Sequence, residues 1–291
     1  MYDRAKYKEG VNWETLKDPV ASIKYDGAHY YLEVSPSGTP KFISRRPSVT
    51  GAYLDRSDKL PHITSIPVPQ LAGNVYNTEL IFTGHDKNNI ESHALVSGIL
   101  NSLPPKAIAT QKISGPVRVV LLDVISPKFN TYEEKLAHLK EVEKAFNKPE
   151  VIYSVTPVHG IENIRKLSSS TKERSQEGII VTSLTKPESE NYRVKIKHTD
   201  TYNLRIVNII QEVDIHGKLK DSAGSLELAD STGRAVCNVG TGFTREMRKH
   251  IWDNKSSYMR KLIQIKAMKS TAQKLRSPVY NGEADGDIDT V

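Results

Sequence analysis

Cysteine is nearly absent from this sequence, because Cys237 is the only one among 291 residues. A single thiol excludes an intrachain disulfide and a cysteine-rich zinc site. This usage fits a reducing compartment, where thiols stay unpaired.

Long apolar runs are also absent. No segment approaches the ~20 consecutive apolar residues of a membrane-spanning helix. The opening residues MYDRAKYKEG contain no apolar core of a secretory signal, and we find no internal repeat. These absences predict a cytoplasmic protein without membrane attachment.

The charge is unbalanced toward the basic side. Lys and Arg total 41 and Asp and Glu total 34, which gives a formal net charge of +7. A basic balance favours an anionic partner, with nucleic acid as the first candidate. Charge alone does not establish this, since many basic proteins bind no polyanion.

The first 199 residues alternate between strand and helix patterns. Strands are predicted for SIKYDGAHYYLEV, PKFISRR, VYNTELIF, VRVVLLDVI, EGIIVT and YRVKIK, and a short helix for NWETLKD. Longer helices are predicted for NIESHALVSGILNSL, TYEEKLAHLKEVEKAF and IENIRKLSSSTKERSQ. This mixture predicts an α+β domain over residues 1–199.

The character of the sequence changes after HTDT at residues 198–201. Short alternating runs joined by Gly, Asp and Ser turns, with the helix TREMRKHIWDN among them, predict a small barrel of the OB type over residues 200–291. The terminal stretch NGEADGDIDTV carries four acids and no base, so it is predicted to be a solvated, mobile end.

Lys24 stands between Ile23 and Tyr25 in a predicted strand and is followed by Asp26 and Gly27. A surface lysine whose head reaches water is the simpler interpretation. The alternative is a nucleophile, because an amine held in a partly dry pocket among other cations loses its proton more easily. Gly27 permits a close backbone approach to a ligand.

Glu79 in NTELIF and Glu177 in EGIIVT each adjoin an apolar strand segment. Both fit outward-facing carboxylates in water. Both also fit functional carboxylates, since burying an unpaired one is costly. In that case they would accept from a ribose hydroxyl or contribute oxygen ligands to Mg²⁺.

Two further groups carry positive charge. Lys195 and Lys197 in YRVKIK lie two apart and therefore share one face of a strand, where a phosphate between them would relieve their repulsion. Arg45 and Arg46 in ISRRP point to opposite faces, so one of them suits phosphate recognition. A solvated strand face remains the alternative for the lysines.

The order of these groups resembles the motif series of covalent nucleotidyltransferases over residues 20 to 275. That superfamily contains ATP-dependent DNA ligases, RNA ligases and capping guanylyltransferases. The stretch VCNVGTGFTREMRKHIWDNKSSYMRKLIQIKAMKST is similar to the OB domain of DNA ligases. The sequence therefore resembles the compact two-domain DNA ligases of viruses and bacteriophages, with roles in DNA replication, repair and recombination.

The resemblance implies an adenylation domain built on ATP-grasp-like antiparallel sheets, followed by an OB-fold domain. It implies ATP as cofactor, AMP carried covalently on Lys24, and Mg²⁺ or Mn²⁺ held by Glu79 and Glu177. Lys195 and Lys197 would neutralise the α-phosphate, and Glu79 would hold the ribose. The remaining nucleotide contacts are expected from Ile23, Asp26, Gly27, His29, Arg45, Leu122, Glu177 and Ile180.

Three positions depart from the family pattern. His29 stands where the family usually has arginine, and it has a shorter reach and a variable charge. Leu122 replaces a stacking aromatic residue beside the adenine. The acidic PVYNGEADGD replaces a basic terminal motif, for which Lys274 or Arg276 would substitute.

The expected partner is nicked duplex DNA, bound by a monomer that closes as a clamp about a linker near Asp200. No additional DNA-binding domain is expected in the 23 residues before Lys24, and VDIHGKLKDSAGS is short for an encircling loop. Phosphate contacts are expected from Arg46, Arg245, Arg248, Lys249, Lys255 and Arg260. RNA joining, GTP-dependent capping and a non-catalytic nick-binding relative remain alternatives.

Overall fold

The structure is a computed structural model that describes residues 6–8, 11–48, 50–83, 93–269 and 273–291. It contains two compact units, one running to Lys197 and the other spanning His198–Val291. Within the described ranges, no helix combines the length and the apolar character needed to cross a membrane.

The first unit is built from two mainly antiparallel sheets. Its strands are β1 (Tyr7–Lys8), β2 (Pro19–Lys24), β3 (Ala28–Val34), β4 (Pro40–Ser44), β5 (Val75–Ile81), β6 (Arg118–Val124), β7 (Ile152–Ser154), β8 (Val158–His159), β9 (Gly178–Ser183) and β10 (Arg193–Lys197). Sheet I has the order β1-β10-β9-β2-β8 and sheet II the order β4-β3-β5-β6-β7. Only the β1–β10 and β6–β7 pairs are parallel among the described strand pairs of this unit.

The helices of the first unit are α1 (Pro61–Thr64), α2 (His93–Asn101), α3 (Pro104–Ser114), α4 (Tyr132–Phe146) and α5 (Ile161–Glu173). Helix α4 begins with a capping box, in which the Thr131 hydroxyl accepts from Glu134 N and the Glu134 carboxylate accepts from Thr131 N. It buries Leu139, Val142 and Phe146 along one apolar stripe.

Each of the two sheets packs one face into a hydrophobic core. The opposite face of each sheet is then available for a functional site. Sheet II buries Leu32, Tyr76 and Leu121 of one face in the largest core. Sheet I buries Ile179 and Val181 of its outer face with α5. Because side chains alternate along a strand, the polar residues between these positions lie on the opposite faces.

The second unit is one antiparallel sheet of order β13-β12-β11-β14-β15. Its elements are β11 (Asp200–Val213), β12 (Leu219–Ala229), β13 (Ala235–Val239), β14 (Leu262–Lys269), β15 (Leu275–Glu283), α6 (Arg245–Asp253) and α7 (Lys255–Tyr258). Tyr280 N donates to Thr241 O at 2.9 Å, beside the bridge between Thr241 and Val279. The sheet therefore curls toward a barrel, but among the described residues strands β13 and β15 are not joined by a complete ladder of hydrogen bonds. With the mixed first unit, this confirms the predicted α+β fold class.

Some predicted elements differ from the observed ones. The NWETLKD helix is a single 3₁₀ turn at Trp13–Thr15. The helix predicted over residues 89–103 is described over His93–Asn101, and its predicted start at 89–92 lies outside the described residues. Helix α3 was not predicted. Most of VDIHGKLKDSAGS belongs to the β11–β12 hairpin.

The stretch NGEADGDIDTV, predicted to be a solvated, mobile end, is exposed over most of its length, but its last residues dock on the second unit. Val291 is buried in the core of the second unit. Asp289 N donates to Asn203 O, and the Arg234 guanidinium donates to Val291 O, both at 2.9 Å. These two hydrogen bonds, one between backbone groups and one from a side chain, hold the end of the acidic stretch against the sheet.

Candidate functional site

The inner face of sheet I carries the predicted lysines. Gly178 of β9 pairs with both Lys24 of β2 and Lys197 of β10, so the two lysines flank it. Lys195 lies two residues before Lys197 and shares its face. Three residues that sequence reasoning placed in one site are thus brought together by strand register.

Glu177 joins two of these lysines. Its Oε2 accepts a hydrogen bond from Lys24 Nζ, and its Oε1 lies 3.3 Å from Lys197 Nζ. The Glu177 side chain is 10% exposed, and that of Lys24 is 17% exposed. One carboxylate therefore holds two ammonium groups at the rim of a shielded space, where a pair is far stronger than in open water.

Positive charge still exceeds negative charge here. Burial lowers the pKa of Lys195, and the charges of Lys24, Arg45 and Lys197 lower it further. Arg45 is half-buried, and its buried Nε has no hydrogen-bond partner among the described residues. Arg46 is exposed, so Arg45 is the arginine that faces the lysines. Such a surplus suits a bound phosphate.

Glu79 enters from sheet II, where β5 pairs it with His29 of β3. Burial raises the pKa of Glu79 to about 8, against the opposing effects of the Lys24 charge and of a hydrogen bond from the Gly27 backbone. The nearby carboxylates of Glu177 and Asp26 raise it as well. Glu79 is therefore protonated near neutral pH and can donate a hydrogen bond as well as accept one.

Two glycines allow the backbone to come this close. A Cβ on Gly27 would collide with the carbonyl oxygen of Leu80, and one on Gly178 with that of Ile196. Gly178 also has a φ of +141°, which side chains rarely adopt. The glycines after Asp26 and Glu177 are therefore structural requirements of the site.

A narrow pocket lies next to the lysines. Its walls include Ser22, Leu122 and Ile180, with Tyr7 and Tyr132 among the other lining residues. Leu122 and Ile180 are thus brought together, as the adenine prediction requires. Ile23 is not, because it pairs with Ile179 and its side chain lies on the opposite face of sheet I from Lys24. Ser22, two residues before Lys24, occupies the predicted place.

A buried ion network supports this pocket and was not predicted. Arg193 donates to Asp123 Oδ2 at 2.8 Å, and Lys135 Nζ lies 3.3 Å from Asp123 Oδ1 and 3.2 Å from Glu188. Arg193 also stands over the ring of Tyr132 at 5.0 Å. An acid in the apolar strand VRVVLLDVI was the available signal, since a buried charge needs a partner.

His93 is a second residue that the sequence did not reveal. Its Nδ1 donates to the carbonyl oxygen of Gly27 at 2.5 Å, and its Nε2 lies 3.3 Å from Ser97 Oγ. The contact joins the first turn of α2 to the turn after Lys24. No local pattern signals a contact over 66 residues of chain.

The predicted DNA contacts of the second unit divide into two groups. Arg248 donates to the carbonyl oxygens of Ala223, Gly224 and Gly240. The guanidinium is thus occupied by the backbone, and its contact with DNA stays a prediction. The remaining four are exposed: Arg245, Lys249, Lys255 and Arg260. Lys249 pairs with Asp253 at 2.5 Å, and Lys255 stands over the Trp252 ring.

The carboxylates of the site are the candidate ligands for a metal ion. No group of three or more His, Cys, Asp or Glu among the described residues forms a preformed cage. Mg²⁺ is commonly held by one or two carboxylates together with substrate phosphates and waters. Glu177 fits that donor chemistry for a metal that arrives with phosphate, and Glu79 fits it once it has lost its proton to the solvent. The possible substitutes for the basic terminal motif, Lys274 and Arg276, lie at the start of β15.

Comparison with known proteins gives a likeness of fold. No protein-family model and no curated protein matches the sequence. The structure Pmar-Lig_PreS3 matches with a TM-score of 0.69 and 16% identity, over 92% of this chain and 64% of that one. A structure from a study of DNA binding by Lig E DNA ligases matches with a TM-score of 0.68 and 14% identity, over 97% and 98% of the two chains.

A third likeness is to mycobacterial DNA ligase D complexed with ATP and MES. Its TM-score is 0.50 and its identity 15%, over 100% of this chain and 98% of that one. At these identities the likeness concerns the fold. The fold that the motif series predicts, that of compact DNA ligases, is therefore confirmed.

Proposed function

We propose that this protein is an ATP-dependent DNA ligase that seals nicks in duplex DNA through an adenylylated lysine, Lys24. The observation that carries the proposal is the arrangement around Glu177. Its carboxylate holds Lys24 and Lys197 on the same strand face as Lys195, beside the pocket lined by Leu122 and Ile180. The charges of Lys24 and Glu177 both act on Glu79. The unit through Lys197 is the adenylation unit, and His198–Val291 is the DNA-binding unit.

In the first step the neutral Lys24 amine attacks the α-phosphorus of ATP. A P–N bond forms, the P–O bond to pyrophosphate breaks, and the proton of the amine passes to solvent. Glu177 orients the amine through its hydrogen bond. Lys195, Lys197 and Arg45 place fixed positive charge where negative charge develops on the α-phosphate.

In the second step an oxygen of the DNA 5′-phosphate attacks the AMP phosphorus. A P–O bond forms, the P–N bond to Lys24 breaks, and the leaving amine takes up a proton from solvent. In the third step the 3′-hydroxyl attacks the 5′-phosphorus, loses its proton, and displaces AMP as the strand is joined. A Mg²⁺ or Mn²⁺ ion, held by Glu177 and Glu79, would supply charge neutralisation at the phosphates. The adenine would lie between Ser22, Leu122 and Ile180, and Glu79 would hold the ribose.

The test is transfer of label from nucleotide to protein. Purified protein is incubated with Mg²⁺ and α-labelled ATP, GTP or labelled NAD, and the denatured band is examined. Lys24→Arg keeps the ion pair with Glu177 but removes the nucleophile, because a guanidinium does not deprotonate. Lys41→Ala, an exposed lysine of β4, is the matched control.

We expect label from ATP in wild type and in Lys41→Ala, none in Lys24→Arg, and joining of nicked DNA only by the labelled proteins. Label from GTP would instead indicate a capping enzyme. Label that persists in Lys24→Arg would disprove the assignment of the nucleophile. Protein that is already adenylylated is recognised by ATP release on addition of pyrophosphate.

A further inference from the structure

Strand β1 adds two residues to the edge of sheet I. Tyr7 pairs with Arg193 and Lys8 with Val194, in parallel. Neighbours in a strand pair share a face, so Tyr7 lies on the inner face with Arg193 and Lys195, and Lys8 on the outer face. The outer contact agrees, since Lys8 Nζ stands 4.2 Å from the centroid of the Tyr192 ring.

The ring of Tyr7 contacts a lysine of the site. Lys195 Nζ lies 3.6 Å from the ring centroid, which is a cation–π contact. Lys24 and Lys197 are instead held by the Glu177 carboxylate. A carboxylate partner cancels the positive charge of a lysine. An aromatic ring restrains the flexible side chain but leaves its charge available to a phosphate.

The same ring reaches the pocket. Tyr7 lines it together with Ser22, Leu122 and Ile180, which come from β2, β6 and β9. One side chain therefore lines the pocket expected to hold the base and also contacts the cation expected at the α-phosphate. A ring that contacts both Lys195 and the pocket fixes the distance between them. A bound nucleotide must then match that distance between its base and its α-phosphate.

We propose that Tyr7 is a positioning residue of the nucleotide site, which holds Lys195 by a cation–π contact and forms one wall of the base pocket. This inference rests on the proposed function and adds to it a residue outside the motif series. Tyr7 acts through Lys195 and through the fit of the base, and it takes no part in bond making.

The test compares four proteins: wild type, Tyr7→Leu, Tyr7→Phe and Tyr192→Leu. Tyr7→Phe keeps the ring. Tyr192→Leu removes a ring from the opposite face of the same strand pair, so it reports any loosening of β1 without a change at Lys195. Single-turnover labelling of Lys24 is followed at increasing ATP concentration, which separates the half-saturating concentration from the maximal rate, and thermal unfolding is followed in parallel.

For Tyr7→Leu we expect a five- to tenfold loss in maximal rate and a similar rise in half-saturating ATP, consistent with the strength of a partly shielded cation–π contact. Tyr7→Phe and Tyr192→Leu should stay within twofold of wild type. Equal kinetics of Tyr7→Leu and wild type would overturn the inference, as would equal damage from Tyr192→Leu. Absence of label in wild type would overturn the proposed function and this inference together, a result distinct from label that does not respond to Tyr7.

Discussion

Glu79 shows how one buried side chain couples the site to stability. Its pKa is raised to about 8, mainly by burial, so the folded protein binds a proton there that the unfolded chain releases near the ordinary pKa of 4.5. Between those two values the folded state holds more protons than the unfolded state. The contribution of Glu79 to the free energy of unfolding therefore decreases as pH rises through this range.

We expect Glu79→Gln to match wild type in stability near pH 4, below both pKa values, and to exceed it by about 4 kcal/mol at pH 9, since each pKa unit corresponds to about 1.4 kcal/mol. Glutamine has the shape of the protonated acid and carries no charge at either pH. Chemical denaturation at the two pH values measures the difference, with the exposed Glu150→Gln as control. A variant that is less stable than wild type at pH 9 would show that the carboxylate form is the favoured one.

Gly178 sets the spacing between β9 and β10. An alanine there would place its Cβ against the Ile196 carbonyl at a φ of +141°, so we expect Gly178→Ala to lose roughly 2–4 kcal/mol of stability and most labelling of Lys24. Gly98→Ala, in open space on α2, is the matched control and should be neutral or slightly stabilising. Thermal unfolding of both variants measures the difference. A Gly178→Ala variant as stable as wild type would show that the close approach of β9 and β10 does not require glycine.

The helices and strands were predicted correctly where burial of one face gives the apolar residues a regular spacing in the sequence. Helix α4 was predicted from its apolar stripe, and the strands from the alternation of their side chains. Helix α3 buries only Ala107 and Gln111, so it has no stripe to detect. The network of Asp123 and Arg193 joins residues 70 apart, and no local pattern contains that information.

The same limit applies to the site. The motif series identified Lys24, Glu79, Glu177, Lys195 and Lys197, whose types and order are chemical requirements. It could not show which of Arg45 and Arg46 turns inward, because that depends on the fold. It also placed Ile23 in the site, although the alternation of side chains along a strand puts the neighbour of Lys24 on the opposite face. It missed the docking of Asp289 and Val291, since acidic composition alone does not reveal a hydrogen-bond partner.

Helix α6 carries two arginines with different tasks. We expect Arg248→Gln to lower the stability of the second unit by about 2 kcal/mol, because three backbone carbonyls lose a charged donor. Arg245→Gln should leave thermal unfolding unchanged and weaken binding to nicked DNA. Unfolding and binding are measured on both variants. A stable Arg248→Gln with weakened DNA binding would restore its original assignment.

For the chain as a whole, the net charge of +7 bears on association with a polyanion. A contact surface that neutralises about six phosphates loses roughly 10³-fold in affinity between 50 and 200 mM salt. We expect binding to a nicked duplex to show such a slope. We expect Arg245→Gln to reduce the slope of log affinity against log salt concentration by about 1, as for the loss of one phosphate contact. Affinity that does not depend on salt would mean that the exposed basic residues do not contact the backbone.

The hydrogen bond between His93 and Gly27 has a spectroscopic consequence. A carbonyl oxygen only accepts, so Nδ1 of His93 must carry a hydrogen, and in the neutral ring Nε2 is left to accept from Ser97. The two ring nitrogens are then inequivalent in nitrogen NMR. Since Gly27 lies three residues after Lys24, we expect the nitrogen shifts of this ring to change when the turn between them moves.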